Sequence, residues 1–266
     1  MFQFKQFTIH QDRTAMKVGT DGVLLGAWAP IAPNASRLLD IGTGTGLIAL
    51  MLAQRLSKQS QGPKDCPPVL GGRAQRAEGV INTPNSHLNI DAIDIDQSSI
   101  EQATENVKNS PFAKYITTHH TSLQDYTTQE KYDAIVCNPP YFVASLKCPD
   151  AQRTQARHTD SLSFDDLLQH SARLLNDGGS LSVILPITEG NQLIELAPKY
   201  GFKITQIVQV LPTPTSAPKR LLMHFIKQEK NNYELCIMNY ELVIELSRHQ
   251  YTPEYIALTH DFYLKM

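Results

Sequence analysis

Ser36-Arg37-Leu38-Leu39-Asp40-Ile41-Gly42-Thr43-Gly44-Thr45-Gly46-Leu47-Ile48-Ala49-Leu50-Met51-Leu52-Ala53 is the stretch that decides the fold. Its first six residues read as a short buried strand, the G-x-G-x-G run as a tight loop, and the apolar run from Leu47 as the start of a helix. Strand, glycine loop and helix in that order make half of a β-α-β unit. Glycine accepts the positive φ that such a loop needs, and the helix N-terminus offers N–H groups to a carboxylate or phosphate. The spacing is not G-x-G-x-x-G, which argues against a nicotinamide or flavin dinucleotide.

Downstream, Leu88 to Asp96 alternates apolar and polar residues and ends in acids, followed by a helical stretch from Gln97 to Val107. An acid at the end of the second strand is placed to accept from both hydroxyls of a ribose, the role given to Asp94, while Asp96 suits the N-cap of the helix. Tyr115 to Ser122 reads as a third strand. A fourth, Tyr132 to Cys137, must stop at Asn138-Pro139-Pro140-Tyr141, because two prolines cannot continue a ladder. In open α/β sheets the carboxyl ends of strands are where ligands bind. Asn138 offers a side-chain carbonyl and Pro139 a backbone carbonyl, two acceptors for the two hydrogens of a planar NH₂ group, and Tyr141 a flat face for stacking. Taken alone, the tetrapeptide reads equally as a turn that ends a strand.

Later segments extend the pattern. Ser163 opens a capping box on an amphipathic helix through Leu174-Leu175, Ser180 to Leu185 is a strand, and Glu189 to Tyr200 a helix ended by Gly201. Strands Lys203 to Leu211 and Leu221 to Lys227 are separated by a Pro-rich link too short for a crossover helix, so they should pair antiparallel. The expected fold is α/β, a doubly wound, mostly parallel seven-stranded sheet with one antiparallel edge strand. Residues 1 to about 10 read as a short strand, and Gly19 to Gly22 as a turn into a helix over Val23 to Ala29. The expected organisation is a single domain over 1–266, with an N-terminal extension at 1–30 and a C-terminal tail at 239–266 packed on it. That tail mixes strand-like residues with a final helix from Pro253. Residues 57–87, rich in Gly, Pro and Ser, read as a flexible surface insertion, and 143–161 as a loop beside the site.

Composition narrows the function classes. With 266 residues, 41% of them hydrophobic, the chain can bury one good core. It has no apolar run of about 18 residues and no signal-peptide layout, so it reads as cytoplasmic. The four cysteines form no C-x-x-C pair, and adjacent His119 and His120 face opposite ways along a strand, so no metal site is expected. The net charge of −2 means that any contact with RNA must come from local patches. Candidates are Lys5, Arg13 and Lys17, then Lys147, Arg153, Arg157 and His158, then Lys219-Arg220.

Asp40-Ile-Gly-Thr-Gly-Thr-Gly46, Asp94 and Asn138-Pro-Pro-Tyr141, in that order, resemble class I S-adenosylmethionine-dependent methyltransferases that act on planar amines. More narrowly, Phe4-Lys5-Gln6-Phe7, Ala15 to Gly22, Leu25-Gly26-Ala27-Trp28-Ala29 and Asp261-Phe262-Tyr263-Leu264-Lys265-Met266 resemble the bacterial valine-tRNA (adenine-N6)-methyltransferase family. The resemblance runs end to end apart from the insertion. It implies a Rossmann-like fold, S-adenosyl-L-methionine as cofactor, and a valine tRNA as partner, with neither membrane nor metal and a monomer or weak dimer. The implied reaction is methylation of the exocyclic N6 of adenosine 37, beside the anticodon. Asn138, Pro139, Pro140 and Tyr141 are the implied catalytic set. Lys17, Thr20, Asp40, Gly42, Gly44, Gly46, Asp94, Ser122 and Asn138 are implied to line the cofactor. Such enzymes usually carry an acid near where Ser122 stands, and here Asp125 follows three residues later. Two alternatives remain on the residues: a protein glutamine-N5 methyltransferase, which would use the same tetrapeptide, and a non-catalytic nucleotide-binding Rossmann module, which has no need of Asn138 with both prolines.

Overall fold

The computed structural model describes residues 1–14, 16–58, 88–139, 162–228 and 236–265. In chain order the elements are β1 (Phe2–Gln3), β2 (Thr8–Ile9), α1 (Thr20–Trp28), β3 (Arg37–Ile41), α2 (Leu47–Lys58), β4 (Asn89–Asp94), α3 (Gln97–Lys108), β5 (Ile116–His120) and β6 (Tyr132–Cys137). Further along come α4 (Phe164–Leu174), β7 (Leu175–Pro186), α5 (Ile187–Leu196), β8 (Phe202–Leu211), β9 (Arg220–Lys227), β10 (Met238–Val243), β11 (Glu245–Ser247), β12 (Gln250–Tyr251) and α6 (Pro253–Thr259).

The main sheet has the order β10-β8-β9-β7-β6-β3-β4-β5, parallel throughout except for β9, which pairs antiparallel with both neighbours. The doubly wound, mostly parallel class stands, with its single antiparallel strand toward one edge. The strand count is eight and not seven, because Met238–Val243 adds outside β8 in parallel register, leaving β9 third from that edge. Half of the residues in β10 are exposed, and the strand-like character read in the C-terminal tail falls within and just beyond it. It is anchored by Leu242, buried in the core, and by the Trp28 indole, which donates to the Tyr240 hydroxyl at 2.9 Å.

Strand alternation sorts the apolar residues into two cores. Leu38, Ile90, Ala92, Ala134, Val136, Ile184 and Leu222 face a layer built from α1, α2 and the chain termini. Leu39, Ile41, Ile93, Ile135, Val183, Met223 and Phe225 face α4 and α5. Each fully buried aliphatic side chain contributes about 1.5–3 kcal/mol by its removal from water. Helix α1 is apolar on every side, as befits a helix enclosed by other elements. Its C-terminal carbonyls are met by Arg55 of α2, which donates to Gly26 O at 2.9 Å and Ala29 O at 3.0 Å.

The helix begins at Thr20, so Gly19 is its N-cap and the expected turn forms its first turn instead. Residues 1–10 form not one strand but a two-stranded hairpin, Phe2↔Ile9 and Gln3↔Thr8. The terminal motif closes on it. Phe4 bridges Tyr263, Lys5 N donates to Phe262 O at 2.8 Å, and the rings of Phe2, Phe4, Phe7 and Tyr263 stack as one aromatic cluster. The C-terminal helix is capped by Thr252, whose hydroxyl accepts from Tyr255 N at 3.1 Å. The insertion expected over 57–87 lies outside the described residues from 59 onward, as does the loop at 143–161.

Candidate active site

Strands β3 and β4 run in parallel register, Ile41 opposite Ile93, so Asp40 and Asp94 reach the same edge of the sheet. Between them the glycine loop takes φ of 66° at Gly42, 56° at Gly44 and 81° at Gly46, a region that side chains other than glycine enter only at a cost. A Cβ on Gly42 or Gly44 would meet nothing within 4 Å, so the outer side of the loop is an open cradle. Gly46 rests on α3, where a Cβ would lie 3.5 Å from that of Ala103.

Asp94 binds this loop directly. Its Oδ2 accepts from Gly44 N at 2.8 Å and its Oδ1 from Asp96 N at 3.0 Å. Burial pushes its pKa up against the pull of those two amides, and the upward push prevails. Each oxygen keeps a lone pair for a further donor. Asp96 is the N-cap of α3, accepting from Ser98 N and Ser99 N.

Asp40 lies beneath the loop, not in the cradle. It is fully buried, and its Oδ2 accepts from Thr43 Oγ1 at 2.7 Å and Ala49 N at 3.2 Å. Its Oδ1 has no hydrogen-bond partner among the described residues. Burial, with the neighbouring Asp94 charge adding, raises its pKa to about 7. Behind it the Cys137 thiol is pushed up by burial and by the same two acids.

Asn138 follows β6 at the same edge, partly exposed, and its side-chain amide makes no hydrogen bond among the described residues. It stands against the first turn of α1: a Cβ on Gly22 would come 4.0 Å from Asn138 Nδ2 and 3.2 Å from Leu47 Cδ2. That turn is tied to the start of β9, at the same edge, by Asp21 Oδ2, which meets Arg220 Nε at 2.8 Å. Pro139 is buried, and Pro140 and Tyr141 lie outside the described residues, as do Lys147, Arg153, Arg157 and His158.

Ser122 and Asp125 form one unit: Ser122 Oγ donates to Asp125 Oδ2 at 2.7 Å and accepts from Asp125 N at 3.1 Å. A carboxylate is thereby held at the position where the sequence shows only serine. Lys17 and Thr20 are exposed in the segment leading into α1, and the Lys17 ammonium donates to the carbonyls of Gln11 and Thr14. Arg13 pairs with Glu105 at 3.1 Å. His119 meets Asp91 at 2.9 Å and His120 meets the Ile95 carbonyl at 2.9 Å, separate partners as their opposite facing requires.

Two residues escaped the sequence reading. Ile95, 58% exposed between two acids, presents a bare aliphatic face at the rim beside Asp94. An apolar side chain at a strand's carboxyl end was the available signal. Asn106, buried in α3, binds the carbonyl of Thr45 within the glycine loop at 2.9 Å. Nothing in its spacing discloses that contact. Among the described residues no helix is long and apolar enough to cross a membrane, and no group of three or more His, Cys, Asp or Glu is arranged to hold a metal.

The chain is 44% identical to a Flavobacterium psychrophilum protein, aligned over 100% of both chains, and 44% identical to one from Parabacteroides distasonis over 100% of this chain and 98% of the other. A Trichodesmium erythraeum protein is 43% identical over 99% and 98%. All three are named tRNA1(Val) (adenine(37)-N6)-methyltransferase. The chain belongs to that family. Residues 79–196 also match the methyltransferase small domain. Among solved structures, an Agrobacterium tumefaciens protein described as a predicted O-methyltransferase superposes with a TM-score of 0.62 at 18% identity, covering 91% of this chain and 96% of that one. A Listeria monocytogenes protein described as a class I S-adenosylmethionine-dependent methyltransferase gives 0.52 at 14% identity, over 82% and 62%. These two likenesses establish that the tRNA1(Val) methyltransferase family member described here has the class I methyltransferase fold.

Proposed function

We propose that this protein transfers a methyl group from S-adenosylmethionine to the exocyclic N6 of adenosine 37 in a valine tRNA, the activity its full-length relatives are named for. The observation that carries the reading is the Asn138 amide, without a hydrogen-bond partner among the described residues, at the end of β6 and at the same sheet edge as the glycine cradle. The residues present fit the cofactor. The open face over Gly42 and Gly44 admits the methionine end, Asp94 has lone pairs free for a ribose diol, and Ile95 offers an aliphatic face to an adenine ring. The Ser122–Asp125 pair supplies the carboxylate for the adenine amine, and Asp40, beneath the loop, shapes it through Thr43 and Ala49. Lys17 and Thr20 belong to the segment that brings α1 to Asn138.

When bound, the cofactor supplies an activated methyl group on a sulfonium, so the protein's work is alignment and electrostatics. Asn138 Oδ1 and the Pro139 carbonyl accept the two N–H bonds of the adenine amine. That holds its hydrogens in the acceptor plane and localises the nitrogen lone pair toward the methyl group. No strong base is required: as the N–C bond forms and the methyl group's bond to sulfur breaks, leaving a neutral thioether, the nitrogen becomes acidic and its proton can pass to water. Tyr141, on this reading, stacks on the base once it leaves its own stack, a rearrangement of about a few kcal/mol. On this reading residues 1–266 act as one catalytic domain.

The test is methylation by the purified protein of a tRNA pool and, separately, of proteins with exposed glutamine, followed by mass spectrometry of nucleosides and peptides. N6-methyladenosine at position 37 of valine tRNA is the expected product. N5-methylglutamine with unmodified valine tRNA left untouched would overturn the assignment.

A further inference from the structure

The glycine loop is held at three points, one at the end of β4 and two on α3. Asp94, just before α3, takes the Gly44 amide, Ala103 in its middle packs on Gly46, and Asn106 near its end donates to the Thr45 carbonyl. Asn106 is 1% exposed, and its amide is almost fully used. Nδ2 donates to Thr45 O at 2.9 Å and to His10 O at 2.8 Å, while Oδ1 accepts from His10 N at 2.9 Å. One side chain therefore joins the cofactor loop to the chain leaving β2. That chain is bound again one helical turn back, where Gln102, also 1% exposed, accepts from Arg13 N at 3.4 Å. It then folds on itself, with Val18 N donating to Gln11 Oε1 at 2.7 Å, before entering α1 beside Asn138.

Thr45 sits between two glycines of positive φ, whose backbone has no side chain to restrain it. Without a donor at its carbonyl, the Thr45–Gly46 peptide keeps only the bond from Gly46 N to Thr43 O at 2.9 Å, and more of the cradle would have to be ordered at the moment the cofactor binds. We propose that Asn106 is a positioning residue for the cofactor site, preorganising the glycine loop by locking the Thr45 carbonyl to the N-terminal segment. This rests on the reading of the loop as the S-adenosylmethionine cradle. Asn106 touches neither cofactor nor base, so its effect falls on cofactor binding in ground and transition states alike, raising KM for the cofactor and leaving kcat unchanged.

The test uses the full-length protein with Asn106→Asp, nearly isosteric but placing acceptors against two carbonyls, and Asn106→Ser, which keeps one donor and introduces no charge. Calorimetric titration with S-adenosylhomocysteine, on samples shown to be folded by thermal melting, should give a Kd weakened about tenfold or more in Asn106→Asp and a few-fold in Asn106→Ser. At saturating cofactor, kcat and the KM for tRNA should match the wild type. Should Asn106→Asp fail to fold, Asn106→Ser decides. Variants that fold and bind within twofold of wild type, or that lose kcat with unchanged cofactor affinity, would show Asn106 to be merely structural. A wild-type protein that binds no S-adenosylhomocysteine would sink the cofactor reading itself, and this inference with it.

Discussion

The two ends of the parallel strands treat polar groups in opposite ways. Toward the amino ends the carboxylates of Asp91 and Asp133 are matched by donors. Asp91 accepts from the Tyr132 hydroxyl at 2.7 Å and lies 3.3 Å from Arg37 and 2.9 Å from His119. Asp133 is pushed up by burial but more strongly pulled down by the amides of Ser36 and Arg37 and the Asn176 side chain, and stays below the usual carboxylate range. At the carboxyl ends, among the described residues, Asp40 Oδ1 and the Asn138 amide have no hydrogen-bond partner and nothing lies within 4 Å of a Cβ on Gly42 or Gly44. Satisfied networks hold a fold together, whereas unsatisfied groups are ready to hold something else. The difference separates residues whose loss should lower stability from those whose loss should lower activity.

The largest expected effect is at the active edge. Asn138→Ala should reduce kcat about 10²–10³-fold, since misplacing the amine forfeits alignment and polarisation, while melting temperature and cofactor affinity stay near wild type. Loss of cofactor affinity together with activity would move Asn138 to the structural side. At the opposite edge, Asp91→Asn should cost about 3 kcal/mol of unfolding free energy by breaking a mostly buried ion and hydrogen-bond cluster, with kcat per folded molecule unchanged. A kinetic defect there would erase the division. Asp94→Ala should weaken S-adenosylhomocysteine binding by about 1.5–3 kcal/mol, measured by calorimetry, with a smaller stability change from the orphaned Gly44 amide.

The smallest effect reads the cost of readiness at Asp40. Its folded pKa of about 7 lies above the 3.8 of an ordinary aspartate, so its contribution to stability is fully present below about pH 3.8 and is lost as pH rises through about 7. Asp40→Asn cannot ionise. In chemical denaturation its advantage over wild type should be about 2 kcal/mol greater at pH 8 than at pH 5. An advantage independent of pH would mean that Asp40 is charged with little penalty, and that the amino and carboxyl edges are less different than the bare Oδ1 indicates.

Sequence by itself determined the strand, glycine loop and helix, the acid after the second strand, the proline stop after Cys137 and the antiparallel pairing of the last long strands. Each of these is a local consequence of backbone chemistry: positive φ for glycine, a missing N–H for proline, a link too short for a crossover. The N-terminal and C-terminal motifs were legible as resemblance, but only the structure shows their aromatic residues packed on each other. The tail read as strand-like, but only tertiary structure decided that Met238–Val243 pairs with β8 as an eighth strand, since a strand's partner is not recorded locally. It also decided that Asp40 supports the loop from below, that Asp125 comes to Ser122, and that Asn106 joins Thr45 to His10 across 61 and 96 residues. Ser122 and Asp125 stand three residues apart and Asp40 and Ala49 nine, so there only burial and geometry were hidden; the Asn106 contacts join distant chain segments, and no local pattern of residue types records them.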